Sequence, residues 1–341
     1  MPPTVPAGPA QGRLEQTVRF HRDPLGTLRR AQADHGDVFT LRMTTTGPLV
    51  AIATAAGVAE VPAADPRPCH AGEARRQVLG LVSPRSILGA DGEVHRSARD
   101  RVAHVFTPEA VDRHRDRMAA IAAEHAASWP TDRPFRLLPR IRLLCDDLFC
   151  RLLVGAPDPE LPHAVRKMIN TPGNPPLTPT VDGAGLMGAL VKRVFEHRKG
   201  PAAEHLTAAI DARRGGPATT DDVIGAVLEA EPGADTATLV DELLPLLMAG
   251  QEPPAAGLTW LLDRMAREHH PQTAPDAAFV DETFRLRPPV HSVVRRLVEP
   301  ARIAGVDLPA HALPMVPIPL VHRDPAAFPD PDAFRPGRPG A

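Results

Sequence analysis

The sequence predicts a mainly α-helical fold with a small β component. Long helical periodicity fills much of residues 93–267, two short apolar runs at 38–42 and 49–52 read as strands, and after residue 287 the text turns to short strands and proline-rich turns. A chain of 341 residues with 43% apolar composition can bury a substantial core. No internal repeat is visible.

Taken in order, residues 1–20 are expected to be a mobile N-terminal segment and residues 21–341 a single domain. Met1–Gly12 is dominated by Pro, Ala and Gly and has no apolar stretch of the secretory type. Pro24-Leu25-Gly26-Thr27-Leu28 opens a short helix that leads to Asp34-His35-Gly36-Asp37, and the two strands of a small sheet follow. Residues 93–129 carry long helical periodicity, with Val94, Val102, Val105 and Met118 set among Arg and His. Residues 134–155 form an amphipathic helix that stops near Gly155, with Pro157 just beyond. Thr171–Pro179 is crowded with proline and reads as loop. Residues 186–213 and 221–231 read as helices, and 236–267 as one long, largely apolar helix.

Charge narrows the function classes. Thirty-nine basic and 41 acidic residues give a formal net charge of −2 and mix along the chain, so nothing points to nucleic acid or to an anionic membrane. Cys69, Cys145 and Cys150 do not form a disulfide framework and fit a cytoplasmic protein. No apolar run approaches the roughly 18 residues of a membrane span. The acidic pairs Asp146-Asp147 and Asp221-Asp222 each lack a third acid, so they read as helix-surface carboxylates or first-turn dipole partners rather than a metal–diphosphate site. His269-His270 is a loop pair, and no metal is expected. There is no Gly-rich phosphate loop and no nucleophile elbow.

The chemistry-bearing motifs come in a fixed order. Glu282 and Arg285 share one helical face at i,i+3. Arg287-Pro288-Pro289, Arg295-Arg296, His322-Arg323-Asp324-Pro325, Phe328-Pro329-Asp330-Pro331 and Phe334-Arg335-Pro336 follow. This series resembles the cytochrome P450 superfamily. Asp34-His35-Gly36-Asp37-Val38, the helix around His95 and Arg285–Val290 match it too, so the resemblance runs from about Pro24 to Pro339. In flavour it is similar to bacterial members that oxidise terpenoids and other apolar metabolites.

The resemblance implies roles. Glu282 and Arg285 would be a structural pair locked to the later meander. His95, Arg99 and Arg295 would face an anion, the haem propionate in the family. Ala249-Gly250-Gln251-Glu252-Pro253-Pro254 stands where the family has Ala-Gly-x-Glu-Thr-Thr, whose acid–alcohol pair relays protons to iron-bound oxygen. Proline has no hydroxyl, so Pro253 breaks that relay. In a continuous helix each proline would cost about 3 kcal/mol. The segment after Arg267 is short, as if connecting helices were lost. The family's Cys loop does not follow before Ala341, which implies a P450 fold lacking the C-terminal haem-ligand loop and last helix.

The function expected is therefore that of a haem-less P450-like protein in hydrophobic natural-product biosynthesis. It would be a non-redox cyclase or isomerase, with Glu252 as candidate acid or base and a hydrophobic small molecule with an anionic head as partner. One alternative is an auxiliary protein that activates a glycosyltransferase. Another is a haem monooxygenase with a truncated gene, and haem is the expected cofactor only in that case.

Overall fold

The computed structural model describes residues 5–44, 46–61, 69–79, 83–155, 158–169, 186–216, 222–270 and 273–338; the 171–179 loop and Asp221 lie outside them. Residues 13–20 belong to α1 (Arg13–Arg22). Its buried Gln16 accepts from the Arg42 amide at 2.9 Å, and Thr17 accepts from the Thr44 amide at 2.9 Å. The segment is held by polar side chains bonded to backbone, a signal that hydrophobic periodicity does not carry. In α2 (Pro24–His35), Asp23 accepts from the Gly26 amide and Pro24 sits where its missing N–H is harmless. Gly36 ends it at φ 82°.

Strands β1 (Val38–Met43) and β2 (Gly47–Ile52) pair antiparallel, Val38 opposite Ile52. After α3 (Ala55–Ala59), β3 (Cys69–His70) and α4 (Ala71–Leu79), the periodicity of 93–129 appears in pieces. These are α5 (Gly92–Ala103), a 3-10 turn at His104–Phe106, α6 (Pro108–Arg113) and α7 (Arg115–Ala127). Thr107 makes the break: its backbone is extended, its hydroxyl caps the Ala110 amide, and Pro108 has no N–H to continue the preceding turn. Next come α8 (Leu137–Val154), stopped by Gly155 at φ 83°, α9 (Glu160–Ile169) and α10 (Leu186–Gly215). In α11 (Val223–Ala230), Asp222 caps the start by accepting from the Gly225 amide at 2.7 Å.

The long helix expected over 236–267 is two helices, α12 (Thr236–Ala249) and α13 (Glu252–Arg267). From Arg267 to α14 (Ala277–Leu286) no helix intervenes among the described residues. Short strands β4 (Ser292–Val294), β5 (Arg296–Leu297), β6 (Ala301–Ile303), β7 (Val306–Leu308) and β8 (Leu313–Pro317) follow, then α15 (Ile318–Val321).

The chain divides into two compact units. One comprises residues 1–80, 173–189 and 260–341, the other residues 81–172 and 190–259. The first is built on a sheet of order β1-β2-β8-β4, with β8 parallel to β2 and antiparallel to β4. Leu28, Phe39, Leu41, Leu49 and Met315 are buried along it. The second is all helical, and Leu161, Val165, Met168, Leu206, Ile210, Leu243 and Leu247 fill its core. No helix among the described residues is long and apolar enough to cross a membrane.

Candidate functional site

The break between α12 and α13 falls at Gly250-Gln251, inside the motif singled out in the sequence. A side chain at Gly250 would put its Cβ 2.3 Å from the Phe149 ring of α8, so only glycine permits this approach. Pro253 and Pro254 occupy the first turn of α13, where backbone N–H groups have no helical partner in any case. The interior-helix penalty expected for them is thereby largely avoided. Pro245 does lie inside α12, buried. Neither proline can donate to the carbonyls of Ala249 and Gly250 four residues back.

Gln251 is fully buried, and neither its Nε2 nor its Oε1 has a hydrogen-bond partner. Gln251→Met keeps the shape and removes both orphaned groups, so it is expected to stabilise the protein by about 1–3 kcal/mol in urea unfolding. A lower midpoint in the variant would instead mean that a bound water satisfies the amide.

Glu252 is not a free carboxylate. Its Oε2 accepts from Arg142 Nη2 at 2.8 Å and Nε at 3.2 Å, and its Oε1 accepts from Arg166 Nη1 at 2.7 Å. Arg166 in turn donates through Nε to Asp146 at 2.7 Å. Asp146 is 1% exposed, not the surface carboxylate expected, and burial lifts its carboxyl above the usual range despite Arg166. Its neighbour Asp147 turns to His125 and Arg151, each at 2.9 Å. The two acids of the pair thus serve different arginines. Glu252, the candidate acid or base, has both oxygens engaged by guanidinium groups. Sequence reasoning missed Arg142 and Arg166. Only the helical spacing of Arg142 and Asp146 hinted at a charged face.

Elsewhere, Asp222 is spent as a helix cap and as the partner of Arg213. His270 packs edge-on against Phe279, with ring centroids 4.6 Å apart. Among the described residues no group of three His, Cys, Asp or Glu could hold a metal ion.

In the first unit, Glu282 and Arg285 form a buried ion pair, Nε to Oε2 2.7 Å and Nη2 to Oε1 2.9 Å. Arg285 also donates to the carbonyls of His322, Pro331 and Ala333. Glu282 accepts further from the Arg335 amide at 2.7 Å and Arg338 Nε at 3.0 Å. Burial pushes the Glu282 carboxyl up, but these donors together outweigh it and hold the group below its usual range. A depressed folded-state value means that this stabilisation is present above the ordinary carboxylate range of about 4 and is lost as pH falls through the depressed value. Acid titration followed by circular dichroism is expected to show that loss, and Arg338→Met should move it to higher pH. Coincident profiles would contradict the assignment.

His95 and Arg99 stand one turn apart on α5, His95 half-buried and Arg99 exposed. Arg295 belongs to the other unit, between β4 and β5. Its amide donates to the Pro314 carbonyl at 2.9 Å and its Nη1 to the Val294 carbonyl at 3.1 Å. The cysteines are core residues. Cys145 packs with Ile141 and Ala255, and burial, reinforced by Asp146, pushes its thiol up to about 11. Burial raises Cys150 further, and raises Cys69 against the opposing charge of Arg295.

A cytochrome P450 family model matches residues 277–340. The Mycobacterium tuberculosis protein named cytochrome P450 135B1 is 33% identical over 361 residues, covering 98% of this chain and 76% of its own length. Cytochrome P450 135A1 of the same species is 30% identical, with 98% and 79% covered. Among solved structures, retinoic acid-bound cyanobacterial CYP120A1 matches with a TM-score of 0.79 at 21% identity, over 98% of this chain and 82% of that one. A mutant of P450 EryK in complex with erythromycin B matches at 0.72 and 23% identity, over 97% and 82%. The chain belongs to the cytochrome P450 superfamily.

Haem in this family is held through a cysteine thiolate. The residues present do not fit that role: all three cysteines are buried, and burial opposes the thiolate at each.

Proposed function

We propose that this chain uses the P450 scaffold to bind an apolar small molecule with an anionic head, and that it does not activate oxygen. The observation that carries the reading is the break between α12 and α13. Pro253 offers no hydroxyl there, and Glu252 is tied on both oxygens to Arg142 and Arg166. The two side chains that would pass protons inward are thus missing or fixed. A non-redox cyclisation or isomerisation would need an acid or base other than Glu252, so the reading rests on binding first. His95 and Arg99 supply donors to the anionic head, hydrogen bonds to a charged group contributing roughly 1.5–3 kcal/mol each.

The full chain, expressed with haem supplementation, is expected to lack the carbon monoxide difference band of a reduced haem-thiolate. Pro253→Thr should not create oxygenase activity. Appearance of that band with substrate oxidation would overturn the reading. Calorimetry with prenyl diphosphates, fatty acids and nucleotide sugars is expected to find a ligand whose affinity falls in His95→Ala/Arg99→Ala. If no ligand binds, but a glycosyltransferase gains activity on adding the chain, the auxiliary role replaces this one.

A further inference from the structure

A cavity of about 360 Å³ lies within the all-helical unit, between α11 and the stretch from the 3-10 turn through α6. On the α11 side, Val223, Ala226 and Glu229 recur every third residue and so share one face. Ala110 and Val105 face them from the other wall, and Ala110, Val223 and Ala226 are all buried. The floor is therefore aliphatic and small. At about 1.5 Å per residue, the α11 wall from Asp222 to Glu229 is roughly 10 Å long. The volume sits at the low end of the roughly 300–1,000 Å³ typical of small-molecule sites.

The charges around this floor are of two kinds. Asp222 is already neutralised by Arg213 and by the Gly225 amide, so it has little left for a ligand. Arg113 and Glu229, one of each sign, both line the cavity and both stand exposed. They do not form an ion pair with each other, although they share one cavity. His104 and His114 flank the same opening. A small ligand that places a carboxylate against the Arg113 guanidinium and an ammonium against Glu229 would engage both charges, with its alkyl part over Val105, Val223 and Ala226.

We propose that this cavity binds a small aliphatic amino acid in its zwitterionic form. Arg113 takes the carboxylate and Glu229 the ammonium. The site is independent of the ligand reading given above, and neither Arg113 nor Glu229 takes part in that reading.

The test is titration calorimetry of the full chain with two zwitterions, L-leucine and 6-aminohexanoate, which differ in the separation of their charges. Each is compared with its single-charge analogues: 4-methylpentanoate and isopentylamine, hexanoate and hexylamine. At least one zwitterion is expected to bind, with its single-charge analogues at least tenfold weaker. Arg113→Gln and Glu229→Gln should each weaken that zwitterion about tenfold, equivalent to about 1.4 kcal/mol. Both side chains are exposed, so the thermal midpoints of the variants should match the parent. Absence of binding by either zwitterion would overturn the proposal. So would equal binding of a carboxylate without the amine, or binding unchanged in both variants.

Discussion

Arg285→Ala is expected to yield protein whose thermal midpoint collapses or which fails to accumulate in soluble form. Glu282 and Arg285 are 1% and 3% exposed at their side chains, and removing the guanidinium leaves a carboxylate buried with fewer donors. Breaking a buried pair in this way costs about 3–5 kcal/mol, against a typical domain stability of about 5–15 kcal/mol. Three backbone carbonyls also lose a donor. Arg285→Lys tests the geometry separately, because a point charge cannot serve a carboxylate and three carbonyls with one planar fork. An Arg285→Ala protein with an unchanged midpoint would show that the pair contributes little.

The second large effect is expected at Arg166. Its loss strips Asp146, 1% exposed, of its guanidinium and takes one of two partners from Glu252. Arg166→Leu alone should destabilise by about 3 kcal/mol or more, since burial already disfavours the Asp146 charge. Arg166→Leu combined with Asp146→Leu should recover most of that loss, because it is the unpaired charge that is costly. Urea unfolding of the two singles and the double gives the coupling energy. Purely additive effects would mean that the two side chains act independently.

Much of the fold was legible because it is written locally. Asp23-Pro24, Gly36, Gly155 and Asp222 mark helix ends by side chains that bond, or refuse to bond, within a few residues. The Glu282–Arg285 motif was legible for the same reason, and Pro253 announced by its covalent structure that the alcohol was gone. What the sequence concealed was long-range. Glu252 meets Arg142 and Arg166 across 110 and 86 residues, and no pattern in a single chain encodes that meeting. The helix from Arg13 to Arg22 was hidden because Gln16 and Thr17 anchor it by hydrogen bonds, where apolar periodicity is silent. The burial of Gln251 was equally invisible, since nothing in its neighbours requires an amide to be enclosed.

Arg285, Arg323 and Arg338 in the first unit grip the main chain more than they grip side chains. Arg285 reaches the carbonyls of His322, Pro331 and Ala333, Arg323 those of Pro319 and Leu286, and Arg338 those of Asp330 and Ala333. Every residue type offers the same carbonyl, so the stretch from 319 to 333 is read by its path and not by its spelling. Such a segment can exchange most of its letters while keeping its route, provided the three guanidinium readers stay in place. Vulnerability is thus concentrated on Arg285, Arg323 and Arg338, and a mutational scan should find quieter residues between 319 and 333 beside three intolerant arginines.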